Sequence, residues 1–150
     1  MYRDLLNTVA EEQRRFGSEP QPRCTETQLE RLVERVMSEL AAELPEEYKD
    51  FLRLADGLDW NGLVIYASER IPIASNPDQF IRGFVEMNWT YREDDRFRSL
   101  VVFGSDGMDI YTYNQLAGTY EIYDEVPHEL IETLPSFGDM MTRALTRCLH

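Results

Sequence analysis

The run Leu44 to Tyr66, LPEEYKDFLRLADGLDWNGLVIY, limits what this chain can fold into more than any other segment, because it reads as a helix, a stop, a turn and a strand in direct succession. Pro45 suits the first helical position, where its missing N–H would have no partner, and Glu46 and Glu47 follow at the positive end of the helix dipole. Tyr48, Phe51, Leu52 and Ala55 then recur at helical spacing and define one apolar stripe. Gly57 can take the left-handed conformation that ends a helix. Asp59, Asn61 and Gly62 supply turn chemistry, and Leu63 to Tyr66 is a short β-rich run. Nearly every residue here has a structural use, and none has to be reserved for catalysis.

Residues 2 to 15 carry a helical pattern around Leu5, Leu6 and Val9, and the stretch Ser18 to Cys24, with Pro20 and Pro22, reads as a linker. Residues 1–24 are therefore expected to form an extension, and residues 25–150 a single domain. A helix opens at Thr25 or Thr27, each followed three residues later by Gln28 or Glu30 at capping-box spacing. Its stripe is Leu29, Leu32, Val33, Val36, Met37, Leu40 and Leu44, while Glu30, Arg31, Glu34 and Arg35 fall on a solvated face. Ile71-Pro72-Ile73 is edge-like, since Pro72 cannot donate to a ladder. Asn76-Pro77-Asp78 is read as the start of a helix running through Phe80, Phe84, Met87 and Tyr91. The last helix starts near Ser136, with Phe137, Met140, Met141, Ala144, Leu145 and Cys148 as its stripe.

Between them, Leu100 to Phe103 reads as a strand, and a hairpin joins Met108 to Tyr113 with Thr119 to Tyr123. Alternation places Met108, Ile110, Thr112, Tyr120 and Ile122 on one face, and Asp109, Tyr111, Tyr113, Glu121 and Tyr123 on the other, the second set facing at least partly outward. The fold class expected is α+β, an antiparallel or mixed sheet of about five to six strands flanked by N-terminal, middle and C-terminal helices.

Charge narrows the functions. The chain carries a formal −13, and the segment Ser99 to Thr142 holds eight acidic residues with no Lys or Arg. Such a field repels nucleic acid and anionic membranes and attracts a basic partner. Tyrosine beside carboxylate suits a protein interface. The candidate partner-binding residues are Asp59, Trp60, Asp106, Asp109, Tyr111, Tyr113, Glu121, Tyr123 and Asp124. No apolar run approaches the ~18 residues of a membrane span, and the N-terminus lacks a signal-peptide pattern, so a cytoplasmic location is expected. Cys24 and Cys148 lack metal-site spacing and are read as free thiols.

Catalytic patterns fit poorly. Gly104-Ser105-Asp106-Gly107 joins two strands, whereas a nucleophile elbow needs Gly-x-Ser-x-Gly between strand and helix. His128 and His150 have no nearby serine or cysteine in a nucleophilic arrangement. A calcium loop over Gly57 to Ser68 lacks its terminal acids. No catalytic residue, cofactor or metal is expected.

Leu-Pro-x-x-Tyr-x-x-Phe-Leu from Leu44, the Asn61-Gly62 turn and the strand ending in Tyr66 resemble the SUKH superfamily. So do Val101 to Gly104, Asp109 to Tyr113, Gly118, Tyr120 to Tyr123, and Ser136 to Met141. The likeness spans roughly residues 29 to 147, with the YrhA-like branch a candidate. The resemblance implies a non-enzymatic binding protein, an immunity protein whose partner is a basic toxin domain such as a nuclease, acting as a monomer or weak homodimer without direct contact to nucleic acid or membrane. Two alternatives are a regulatory or scaffolding domain binding host proteins, as in fungal Smi and Knr relatives, and a small-ligand binder using a cleft between the Tyr48 helix and the sheet, with Trp60 at its mouth.

Overall fold

Thr25 Oγ1 accepts the Gln28 amide at 3.1 Å while Gln28 Oε1 accepts the Thr25 amide at 2.8 Å. This reciprocal box satisfies two of the N–H groups that a helix start leaves free. In the computed structural model, which describes residues 2–150, it opens α2 (Glu26–Leu40). The other helices are α1 (Tyr2–Arg15), α3 (Glu46–Leu52), α4 (Phe84–Tyr91) and α5 (Phe137–Leu149). The strands are β1 (Leu58–Trp60), β2 (Leu63–Ile65), β3 (Ile71–Ile73), β4 (Asn76–Ile81), β5 (Leu100–Ser105), β6 (Asp109–Asn114), β7 (Thr119–Asp124) and β8 (Leu130–Leu134). The α+β expectation holds.

Six strands form one antiparallel sheet in the order β1-β2-β5-β6-β7-β8, and β3 and β4 form a separate ribbon. Asn61 and Gly62, both at positive φ, turn β1 into β2, as a two-residue hairpin requires. Where β5 runs past β2, the Gly104 backbone lies so close to Val64 that a Cβ there would collide with the Val64 carbonyl. Beyond the end of β2, the buried Asn88 of α4 takes over the ladder: its Oδ1 accepts the Val102 amide at 2.7 Å and its Nδ2 donates to the Val102 carbonyl at 2.9 Å. A bulge at Phe103 sends that ring among Tyr48, Phe84 and Phe137, with centroids 4.9, 6.1 and 5.3 Å away. On the opposite face Phe97 meets Tyr91 and Tyr123 at 5.3 and 5.6 Å. The sheet is thus apolar on both sides.

Three expectations are corrected. Asn76-Pro77-Asp78 starts a strand, not a helix, and the helix begins only at Phe84; the four-residue spacing of Phe80 and Phe84 spans a strand-to-helix junction. No element is expected between Tyr123 and Ser136, yet this stretch contains β8. Gly57 does not end α3, which stops at Leu52; it sits at φ 87° beside the Ile65 carbonyl, immediately before β1, itself not foreseen.

Candidate protein-binding site

The register of the central hairpin decides where the expected site residues lie. Tyr111 pairs with Ile122, Asp109 with Asp124 and Tyr113 with Tyr120. Tyr111 therefore shares a face with Tyr120 and Ile122, and Glu121 and Tyr123 share the other with Ile110 and Thr112. The assignment of Asp109, Tyr111, Tyr113, Glu121 and Tyr123 to one outward face is wrong by one residue of register. Asp109, Tyr111 and Glu121 are moreover buried, at 4%, 0% and 7% exposure, while Tyr113, Tyr123 and Asp124 are half-buried.

The buried acids have internal partners. Arg147 binds Asp109 directly, Arg143 approaches it at 3.6 Å, and Arg143 also pairs with Glu132. Asp106 accepts the Tyr111 hydroxyl at 2.7 Å and the Asp109 and Met108 amides at 2.9 and 3.1 Å, with Arg147 Nε 3.6 Å away. Burial raises the Asp106 carboxyl, but these donors and the arginine charge outweigh it and hold it below the ordinary range. Burial, then the Asp106 carboxylate, raises the Tyr111 phenol. Glu121 accepts from the Tyr123 hydroxyl at 2.8 Å and the Thr119 hydroxyl at 2.9 Å. The acidic segment without Lys or Arg thus draws counter-charges from Arg143 and Arg147, the part of α5 just past its end.

Asp59 and Trp60 lie at the far end of the sheet. Trp60 Nε1 donates to Glu12 of α1 at 2.9 Å, and Cys148 Sγ of α5 contacts the Trp60 carbonyl at 3.2 Å. Asp59 is half-buried, and burial raises its carboxyl. Trp60 is therefore not at the mouth of a cleft beside Tyr48, whose ring is fully enclosed.

A cleft does exist beside α3. The left-handed Ala41, φ 50°, turns the chain out of α2, and the connection to Pro45 forms one wall of an 830 Å³ groove. Val33 and Met37 of α2 form a second wall, and Tyr113 and Tyr120, 4.8 Å apart, lie beneath. Glu43, Glu46 and Glu47 rim it. Past Val33 and Lys49 it continues as a second hollow of 480 Å³ along Glu26, Glu30 and Glu34. Six glutamates thus face one lysine and one arginine. Lys49 pairs with Glu46 and Arg53 with Glu26, whereas Glu30, Glu34 and Glu43 have no cation partner among the described residues. The Tyr120 phenol is pushed up to about 12 by burial, then by Glu47 and Tyr113.

Of the expected residues only Tyr113 belongs to this groove. Val33 and Met37 belong to the expected buried stripe; α2 buries Leu29, Leu32, Val36 and Leu40, Val33 packs half-buried against the core, and Met37 is 53% exposed. The signal that could have found the site is the mixed stripe Glu30, Val33, Glu34, Met37, at spacings of three and four. Elsewhere, His128 Nδ1 meets Asp94 Oδ2 at 2.8 Å, and no group of three or more His, Cys, Asp or Glu among the described residues is placed to hold a metal. No helix among the described residues is long and apolar enough to cross a membrane. The arrangement offers cation binding and apolar contact.

Among curated proteins, none matches this chain. The family model of the SMI1 / KNR4 family (SUKH-1) matches residues 24–143, which leaves α1 outside the match and does not distinguish the YrhA-like branch. With four-fifths of its length matched, the chain belongs to the SMI1 / KNR4 family, SUKH-1.

Proposed function

We propose that this SUKH protein is a non-enzymatic binding protein of the immunity type, which neutralises a cognate toxin domain by covering the basic groove in which that toxin holds its substrate. A nuclease fits best, because a groove that binds phosphates must be basic. The observation that carries the reading is the groove along α2 and α3, with Glu43, Glu46 and Glu47 around an aromatic floor and Glu26, Glu30 and Glu34 along its continuation. Complementary charge of this kind speeds encounter and selects the partner. The protein works in the cytoplasm, as a monomer or weak homodimer, without cofactor and without touching nucleic acid or membrane itself. The volume of the groove also suits a small ligand, the second reading.

Expression of the tagged protein in its native cells, followed by mass spectrometry of what co-purifies, tests the proposal. A stoichiometric basic toxin domain, released as salt rises, is the expected result. Recovery of host regulatory proteins instead would move the assignment to a scaffolding domain.

A further inference from the structure

We propose that the groove recognises a basic segment of the partner that carries one large apolar side chain, the apolar group seated between Met37 and the Tyr113–Tyr120 pair and the cations lying along Glu30, Glu34 and Glu43. This rests on the binding role proposed above and adds the chemistry of the segment that is bound. Glu30, Val33, Glu34, Met37 and Ala41 follow the helical repeat and share one side of α2. At 1.5 Å per residue, Glu30 to Ala41 spans about 17 Å, the length of about five residues of extended chain.

Val33 packs against the core, but Glu30, Glu34 and Met37 do little for the fold. Like charges four residues apart on a helix repel, so Glu30 and Glu34 weaken α2 slightly. Met37 is 53% exposed above two tyrosines, and methionine over aromatic rings makes an adaptable apolar seat. The occupant is not a second copy of this chain, because each copy carries −13 and like fields repel. Lysine or arginine beside the tyrosine rings also gains from their negative faces.

The probes are two synthetic peptides, acetyl-Arg-Arg-Phe-Arg-Arg-amide and its counterpart with glycine for phenylalanine, titrated by calorimetry and by NMR. The phenylalanine peptide should bind about tenfold tighter, the gain expected from burying one such ring. Met37→Ala should shrink that ratio. Glu30→Lys, Glu34→Lys and Glu43→Lys together should cost at least about tenfold, while Glu11→Lys, Glu19→Lys and Asp78→Lys, which change net charge equally elsewhere, should cost under about twofold. All six residues are exposed, so unchanged urea midpoints will show that both triple variants fold. Equal losses in the two triples would mean that net charge alone governs binding, and would overturn the groove while leaving the immunity role standing. No preference for phenylalanine, or no binding, would also overturn it. Conversely, peptide binding at the groove without a toxin among the co-purified proteins would sink the immunity role and leave the groove intact.

Discussion

Asn88 stands in for a strand beside Val102. Its side-chain amide accepts from the Val102 N–H and donates to the Val102 carbonyl, at 2.7 and 2.9 Å, in the space where β2 has already ended. Both Asn88 and Val102 are fully buried, so the two backbone groups have no water to turn to. Asn88→Leu should cost about 2–4 kcal/mol, the sum of leaving one buried donor and one buried acceptor unpaired. A urea-unfolding midpoint shift checks it. Asn88→Asp retains the acceptor but brings a carboxylate into a fully buried site against the Phe84 and Val102 carbonyls, so at pH 7 it should cost at least as much as Asn88→Leu.

Arg147 neutralises an aspartate that is 4% exposed. Arg147→Ala should destabilise by about 2–3 kcal/mol, toward the lower end for breaking a buried pair because the arginine itself is partly exposed. Arg143→Ala should cost less, since Arg143 stands 3.6 Å from Asp109. Charge reversal at Asp109 or Glu121, which an outward-facing sheet would tolerate, should unfold the protein instead. Thermal melts of the four variants test the ranking.

The Asp106 carboxyl is held below its ordinary value by hydrogen-bond donors and Arg147. A carboxyl whose folded value is depressed contributes stability that is fully present above the unfolded value, about 3.9, and is lost as pH falls through the folded one. Asp106→Asn should therefore lower stability at pH 7 and flatten the loss seen below about pH 4. Parallel urea titrations at pH 3 and pH 7 read the difference.

Both thiols are pushed up to about 11 by burial, and both side chains are buried. At pH 8 they should be thiols without access to reagent, and iodoacetamide should leave the native protein unmodified by mass spectrometry. Denaturation in urea should admit two modifications.

The cap of α2 is the simplest local test. Thr25→Ala removes the Oγ1 that accepts the Gln28 amide and should cost about 1 kcal/mol, as other helix caps do. Thr25→Ser should restore most of it.

The sequence revealed local features where one residue type permits one conformation. Thr25 with Gln28 and Thr27 with Glu30 announced the start of α2 as a choice of two caps, of which the structure uses Thr25; Ser136 announced the start of α5, and Asn61-Gly62 a tight turn. What it hid were choices between equivalent local patterns. Apolar and polar residues alternate on both strands of the central hairpin, and the connection from Gln115 to Gly118 permits more than one register, so the pairing of Tyr111 with Ile122 is set by Phe103 and Phe137 packing below Tyr120. The groove was hidden for a related reason. Val33 and Met37 fit the apolar repeat of α2 as well as Leu32 and Val36 do, and only the position of α3 and the tyrosines shows which of them meets solvent.

The strand order has a kinetic consequence. Within β1–β2 and within β5 to β8 every pairing joins strands adjacent in sequence, and a single seam, Val64 with Ser105 and Ile65 with Gly104, unites the two ribbons. Closing that seam must draw in the whole chain from Tyr66 to Phe103 before any hydrogen bond repays the lost freedom. Each ribbon can form early, and their union is the step that waits. Gly104 keeps the seam open to close approach, and Asn88, carried in the intervening segment, locks it once made. Substitutions within either ribbon, which forms before the union, and at Gly104, where the union closes, should slow folding itself, while loss of Asn88, which acts once the seam is made, should hasten unfolding.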